Sequence, residues 1–137
     1  MPRKLFAAGL LLSFLVAAPA CKKDDMVKET TSEIDALADE MVKAVNDADD
    51  KKKGVADAQK LLDAKKADLG AKMAELGELR GFQVSEDVSA EMTSSLAQSV
   101  IEVQGLQITL MTESIKDPEL KTAVDQLTTD FNDMITP

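Results

Sequence analysis

The sequence predicts an all-helical protein, an up-down antiparallel four-helix bundle, on three observations. From residue 26 onward apolar side chains recur at helical spacing, with no sustained strand-like alternation. The hairpin dipeptides Asn-Gly and Asp-Gly are absent. Aromatic residues make up only 3% of the chain, with no Trp or Tyr, and only Phe82 and Phe131 lie beyond residue 20. Ala, Leu, Val, Ile and Met must therefore fill the core, which suits closely approaching helices better than sheets.

Each element follows from local signals. Thr30-Thr31-Ser32-Glu33 spells a capping box, with Thr30 as cap and Glu33 three residues on. Ile34, Leu37, Met41, Ala44, Val45 and Ala48 then line one face of a first helix, expected over about 27 to 49. Asp49 to Gly54 reads two ways. As a turn, it places Gly54 at a chain reversal, with a second helix over about 55 to 80. As helix, it sets Asp47 and Asp49 four residues before Lys51 and Lys53. The register Val27, Ile34, Met41, Ala48, Val55, Leu62, Leu69, Leu76 then runs unbroken in steps of seven. One continuous helix over 27–80, within a long helical hairpin, is therefore the alternative. Gly81 is placed to close the second helix, and Ser85 to cap a third over about 86 to 116, with Glu86 and Asp87 in its first turn. That helix has two apolar stripes, Leu96-Val103-Leu110 and Ile101-Ile108-Ile115, and only one charge, Glu102, between Met92 and Thr112. Two stripes call for cover on two sides, which favours a bundle. Asp117-Pro118 starts a last helix, with Leu120, Val124, Leu127, Phe131 and Met134 on one face and its end near Ile135.

Ahead of this domain stands a different composition. Arg3 and Lys4 precede an apolar run from Leu5 to Ala18, too short for the roughly 20 residues of a membrane span. Small residues, Ala18-Pro19-Ala20, then lead to Cys21, the only cysteine. Residues 1–20 are expected to be a signal peptide cut between Ala20 and Cys21, residues 21–26 a lipidated cysteine and polar tether, and residues 27–137 the bundle. Over its first 21 residues the chain resembles the leader of bacterial lipoproteins, and the remainder resembles the small helical lipoproteins of bacterial envelopes in general pattern. The resemblance implies acylation of Cys21. The family usually has an aliphatic residue where Ala18 stands and Ala or Ser where Pro19 stands. The same Ala-Pro-Ala also suits an ordinary signal peptidase, which would leave Cys21 as a free thiol. Lys22 after the cysteine resembles the outer-membrane sorting pattern.

Composition bounds the chemistry. The chain carries 25 acidic and 16 basic residues, a net charge of −9, and Arg3 and Lys4 are the leader's only charges. The remainder is thus more acidic still, which disfavours nucleic acid as a partner. With no His and a single Cys there is no His-based nucleophile pair and no haem, di-iron or zinc ligand set. Asp47, Asp49, Asp50 and Asp57 lack the Gly and Glu that a calcium loop needs, since Lys52 and Ala58 hold those positions. Met41, Met73, Met92, Met111 and Met134 read as core filler. Gln98, Glu102, Gln104 and Gln107 are the candidates for a polar pocket or interface. The expected function is a non-catalytic interaction or structural module without cofactor. It would be held to a membrane through the lipid on Cys21, facing the periplasm or exterior beside an envelope protein partner. The alternative is a helical bundle that binds or senses a small molecule.

Overall fold

A computed structural model describes residues 21–136. The expected leader, Ala20 and the cleavage site lie outside the described residues. The helices are α1 (Cys21–Asp47), α2 (Lys51–Gly77), α3 (Glu86–Thr109), α4 (Met111–Lys116) and α5 (Pro118–Ile135), and no strand occurs among the described residues. The predicted all-helical bundle is what forms. Its third column is α3 plus α4, bent at Leu110, so the third helix ends earlier than the expected residue 116.

Polar contacts fix the directions. The Ser85 backbone N–H donates to Asp24 Oδ1 at 2.8 Å, which sets the start of α1 and the start of α3 at one end. Lys52 bridges Asp117 at 3.0 Å and Glu119 at 2.7 Å, which sets the starts of α2 and α5 at the other. α1 packs on α2 and α3, and α5 packs on α2, α3 and α4. α1 and α5 make no close backbone approach, and neither do α2 and α3. The columns therefore alternate in direction along the chain, but α2 and α3 stand on a diagonal. The connection from Glu78 to Ser85 crosses the base of the bundle. Like-directed helices become neighbours, α1 beside α3 and α2 beside α5.

The α1–α2 reversal rules out the continuous helix over 27–80. The chain leaves helix at Ala48, Asp49 and Asp50. Asp50 caps α2 by accepting from the Lys53 N–H at 3.3 Å. Lys51 Nζ donates to the carbonyls of Val45, Asn46 and Ala48 at 3.2, 3.0 and 2.8 Å. A cation on the final carbonyls of α1 satisfies acceptors that the helix leaves open and opposes the negative end of its dipole. Gly54 is not at the reversal. It is buried inside the first turn of α2, where a Cβ would lie 2.8 Å from Ala48 Cβ and 2.9 Å from the Ala44 carbonyl oxygen. The glycine permits close approach of α2 to the end of α1.

Other local expectations change. The proposed tether is helical, because α1 begins at Cys21. Thr30 is no cap: it lies inside α1 and is 2% exposed, while Glu33 reaches across to Lys72 on α2 at 2.7 Å. Thr31 donates to the Val27 carbonyl at 2.7 Å. Ser85 holds the cap position of α3, but its side chain makes no capping bond. Asp117 behaves as anticipated, accepting from the N–H groups of Glu119 and Leu120 with Pro118 at the first helical position.

The core contains Ile34, Leu37, Met41, Leu62, Leu69, Leu106, Leu127 and Phe131, all almost fully buried. Val27, Val55 and Leu76 of the heptad series join them. Met41, Met73 and Met134 are buried as predicted, and Met92 packs against the core from its edge, but Met111 is 56% exposed. The α2–α5 seam is polar at its rim, where Asp130 accepts from Gln59 at 2.9 Å and pairs with Lys66 at 3.3 Å. Burial pushes the Asp130 carboxyl up, but Lys66, Gln59 and Gln126 outweigh it and hold the group below the usual carboxylate range. The Lys52 ammonium, foremost, does the same for Asp117.

Gly54→Ala should lower stability to urea by about 1–3 kcal/mol, because crowding against α1 backbone exceeds the gain in helix propensity. Gly70→Ala, where a Cβ meets nothing within 4 Å, should raise it by up to about 1 kcal/mol. Carboxylates depressed on folding stabilise the fold above their unfolded pKa of about 3.9 and lose that contribution as pH falls through the folded value. The urea midpoint should thus hold steady from about pH 7 to 5 and fall below about pH 4, less steeply in Asp130→Asn.

Candidate functional site

α3 meets the core through Val88, Ser99, Val103 and Leu106, and Leu110 continues that side. Nearly opposite on the same helix, Ala97, Ile101, Gln104, Ile108, Met111 and Ile115 follow one another in alternating steps of four and three, and all are exposed. Ile101 is 62% exposed, and Ile108 and Ile115 are each 77% exposed. The spacing is that of a coiled-coil seam. It survives the bend, because Leu110 N–H donates to Leu106 O at 2.9 Å and Ser114 N–H to Leu110 O at 2.8 Å, both regular helical bonds. The flanks are neutral: Gln98, Gly105 and Thr112 on one side, Val100, Gln107 and Ser114 on the other.

The sequence marks this stripe, but the expectation that the bundle would cover it is wrong. Only the Leu96-Val103-Leu110 stripe faces the interior, with Leu96 half-buried. Full burial of an Ile or Met is worth about 1.5–3 kcal/mol, so four such side chains, each more than half exposed, leave on the order of 4–8 kcal/mol unrealised. Single exposed apolar residues are ordinary; a continuous row of them marks an interaction surface.

The four polar candidates do not form one site. Gln98 Nε2 donates to Glu102 Oε1 at 2.9 Å, one turn along α3. Both line an open cleft of about 540 Å³ between α1 and α3, with Asp35, Asp39, Glu91 and Ser99 among the other residues. Gln104 lies about 120° round the helix from Gln98, on the apolar stripe. Gln107 ties α3 to α5, its Nε2 donating to Asp125 Oδ1 at 3.0 Å and Thr128 Oγ1 at 3.1 Å. Lys121 foremost, and Gln107 with it, hold the Asp125 carboxyl below the usual range. Cys21 is the first residue of α1. Sequence reasoning missed the cleft's central residue, Asp35 on α1, which accepts from the hydroxyls of Ser95 and Ser99, the latter at 2.5 Å. No local signal marks it, since its partners lie 60 and 64 residues away.

The cleft is acidic and open, so it repels anions. Among the described residues no group of His, Cys, Asp or Glu side chains is arranged to hold a metal ion. No described helix is long and apolar enough to cross a membrane. No protein-family model, curated protein or solved structure shows significant similarity to this chain.

Asp35 is the polar tie between α1 and α3 along their length, because Ser99 is only 2% exposed and would be left in the interface without its acceptor. Asp35→Ala should cost about 1–3 kcal/mol in thermal or urea unfolding. Gln104→Ala, at an exposed position with no side-chain hydrogen bond among the described residues, should change stability by less than about 0.5 kcal/mol.

Proposed function

We propose that this chain is a lipid-anchored, non-catalytic interaction module of the bacterial cell envelope, docking a protein through the outer face of α3 and α4. The observation that carries the docking role is the exposed heptad row Ile101, Ile108, Met111 and Ile115. The anchor rests on the sequence: two basic residues, a short apolar run and small residues before the only cysteine. With that cysteine opening α1, a lipid there would hold the base of the bundle against the membrane surface. Phe82, 79% exposed in the connection that crosses the same base, is suited to such an interface. The stripe then runs along the bundle axis, away from the membrane. A non-catalytic role agrees with a chain that lacks His and has no second Cys.

A second reading, a small-molecule binder, draws on the groove of about 380 Å³ between α2 and α5, where Val55, Ala56 and Ala123 meet Lys52 and Gln126. Its size is within the range of ligand sites, but it is open along its length. A rise in melting temperature with hydrophobic metabolites, lost on Ala56→Gln, would favour it.

Two measurements test the main reading. Mass spectrometry of the protein from native membranes should find an N-terminus at acylated Cys21, and Cys21→Ser should move the protein to the soluble fraction. Recovery of the intact chain from cytosol, with Met1 to Ala20 attached, would contradict the anchor. A photo-crosslinker at Ile108 should capture protein in intact cells, whereas one at Lys60, on the exposed side of α2, should not.

A further inference from the structure

We propose that the partner seated on the α3–α4 stripe is a second copy of the same chain, paired in parallel; this rests on reading that face as an interaction surface. The chain carries a net −9, so two copies repel through most of their surfaces. The outer faces of α1 and α2 are dense in charge, with Glu29, Glu40, Lys60, Asp63 and Glu75 all exposed. The six stripe positions and the flanking positions of α3 and α4 carry no charged side chain; charge borders them only beyond, with Glu102 next to Gln98 and the Lys121–Asp125 pair next to Gln107. A charged partner gains nothing on the row itself, which a neutral apolar helix of matching length fits. The chain itself supplies one.

Gly105 points the same way. A glycine weakens a helix interior, and a Cβ there would meet nothing within 4 Å among the described residues. Packing within the bundle does not require it. It sits on the flank of the seam, where a missing side chain lets a second backbone come near.

Ile101, Ile108 and Ile115 occupy one heptad position, and Ala97, Gln104 and Met111 the other. β-Branched residues at the first position are what parallel two-stranded pairs carry there, with Leu usual at the second, where this chain has Ala97, Gln104 and Met111. In a parallel pair Gln104 meets Gln104 of the other copy, and an amide both donates and accepts, so this layer fixes register. Copies anchored by their N-termini to one surface already stand parallel, because α3 points the same way as α1. The stripe from Ala97 to Ile115 is about 27 Å long. With its neutral rim it would bury on the order of 600 Å² per copy, at the lower end of what stable interfaces need. Confinement to a membrane raises the effective concentration and favours so modest a contact.

The test uses the full-length gene, with the protein purified from membranes in mild detergent. Sedimentation should show a dimer that dissociates on dilution, and oxidation of Gln104→Cys should give a disulfide-linked dimer well above the parent-chain background. Ile101→Ser with Ile108→Ser should weaken association at least tenfold while the far-ultraviolet helix signal is unchanged, which separates loss of pairing from loss of fold. Cross-linking only between Ala97→Cys and Ile115→Cys chains would overturn the parallel arrangement. A monomer at every concentration, with no Gln104→Cys dimer, would overturn self-association. If the Ile108 photo-crosslinker then still captured a different protein, the interaction reading would survive; if it captured nothing, both would fall.

Discussion

A bundle of four columns has one interior, and a helix in it can turn only one side inward. α3 carries apolar residues on two sides. Val103, Leu106 and Leu110 take the interior, and the row through Ile101, Ile108 and Ile115 is left facing water by geometry. The other helices solve the same problem with charge, keeping Lys, Asp and Glu on their outer faces. That α3 does not is the feature from which the functional reading grows, because an apolar row costs solubility unless something covers it.

The topology sharpens this. Because the α2–α3 connection crosses the base, the neighbours of α3 are α1 and α5, and the outer face of α3 is open between them. Crossing also sets like-directed helices side by side, with equal dipole ends together. The chain answers with side chains at both such seams. Asp35 joins Ser95 and Ser99 across α1 and α3. Lys52 joins Asp117 and Glu119 across α2 and α5, and Asp130 gathers Gln59 and Lys66 further down. Carboxylates at the paired helix starts, Asp24 and Glu86 at one end and Asp50 and Asp117 at the other, oppose the positive dipole ends. The antiparallel α1–α2 pair adds close approach at Gly54 to its own ties, Glu33 to Lys72 and Lys51 to the last carbonyls of α1.

What could be read from sequence was whatever repeats locally. The heptad Val27 to Leu76, the buried face of α5 and the Asp117-Pro118 start are all set by residues within one or two turns of one another. The reversal at Asp50 was ambiguous because α1 and α2 keep the same register across it, and what decides it, the Lys51 ammonium on the last carbonyls of α1, is a tertiary choice of one side chain. Thr30 spelled a cap but lies inside a longer helix, since the segment from Cys21 continues α1. The polar candidates on α3 scattered because helical rotation parts Gln98 and Glu102 from Gln104. Which helices become neighbours depends on the path of the connection over 78–85, whose existence Gly81 and Ser85 mark but whose diagonal course no residue signals. So did the fate of the second stripe: its existence was plain, its lack of cover was not.

Among the described residues nothing covers the α3–α4 row, and methionine oxidation reads that exposure directly, because the thioether of an exposed methionine reacts and a buried one is shielded. With the protein diluted until it sediments as a monomer, peroxide should oxidise Met111 at least tenfold faster than Met73 and Met134, which are 6% and 4% exposed. Met111 reacting as slowly as those two in the monomer would mean that the chain covers its own stripe, and the account would be wrong.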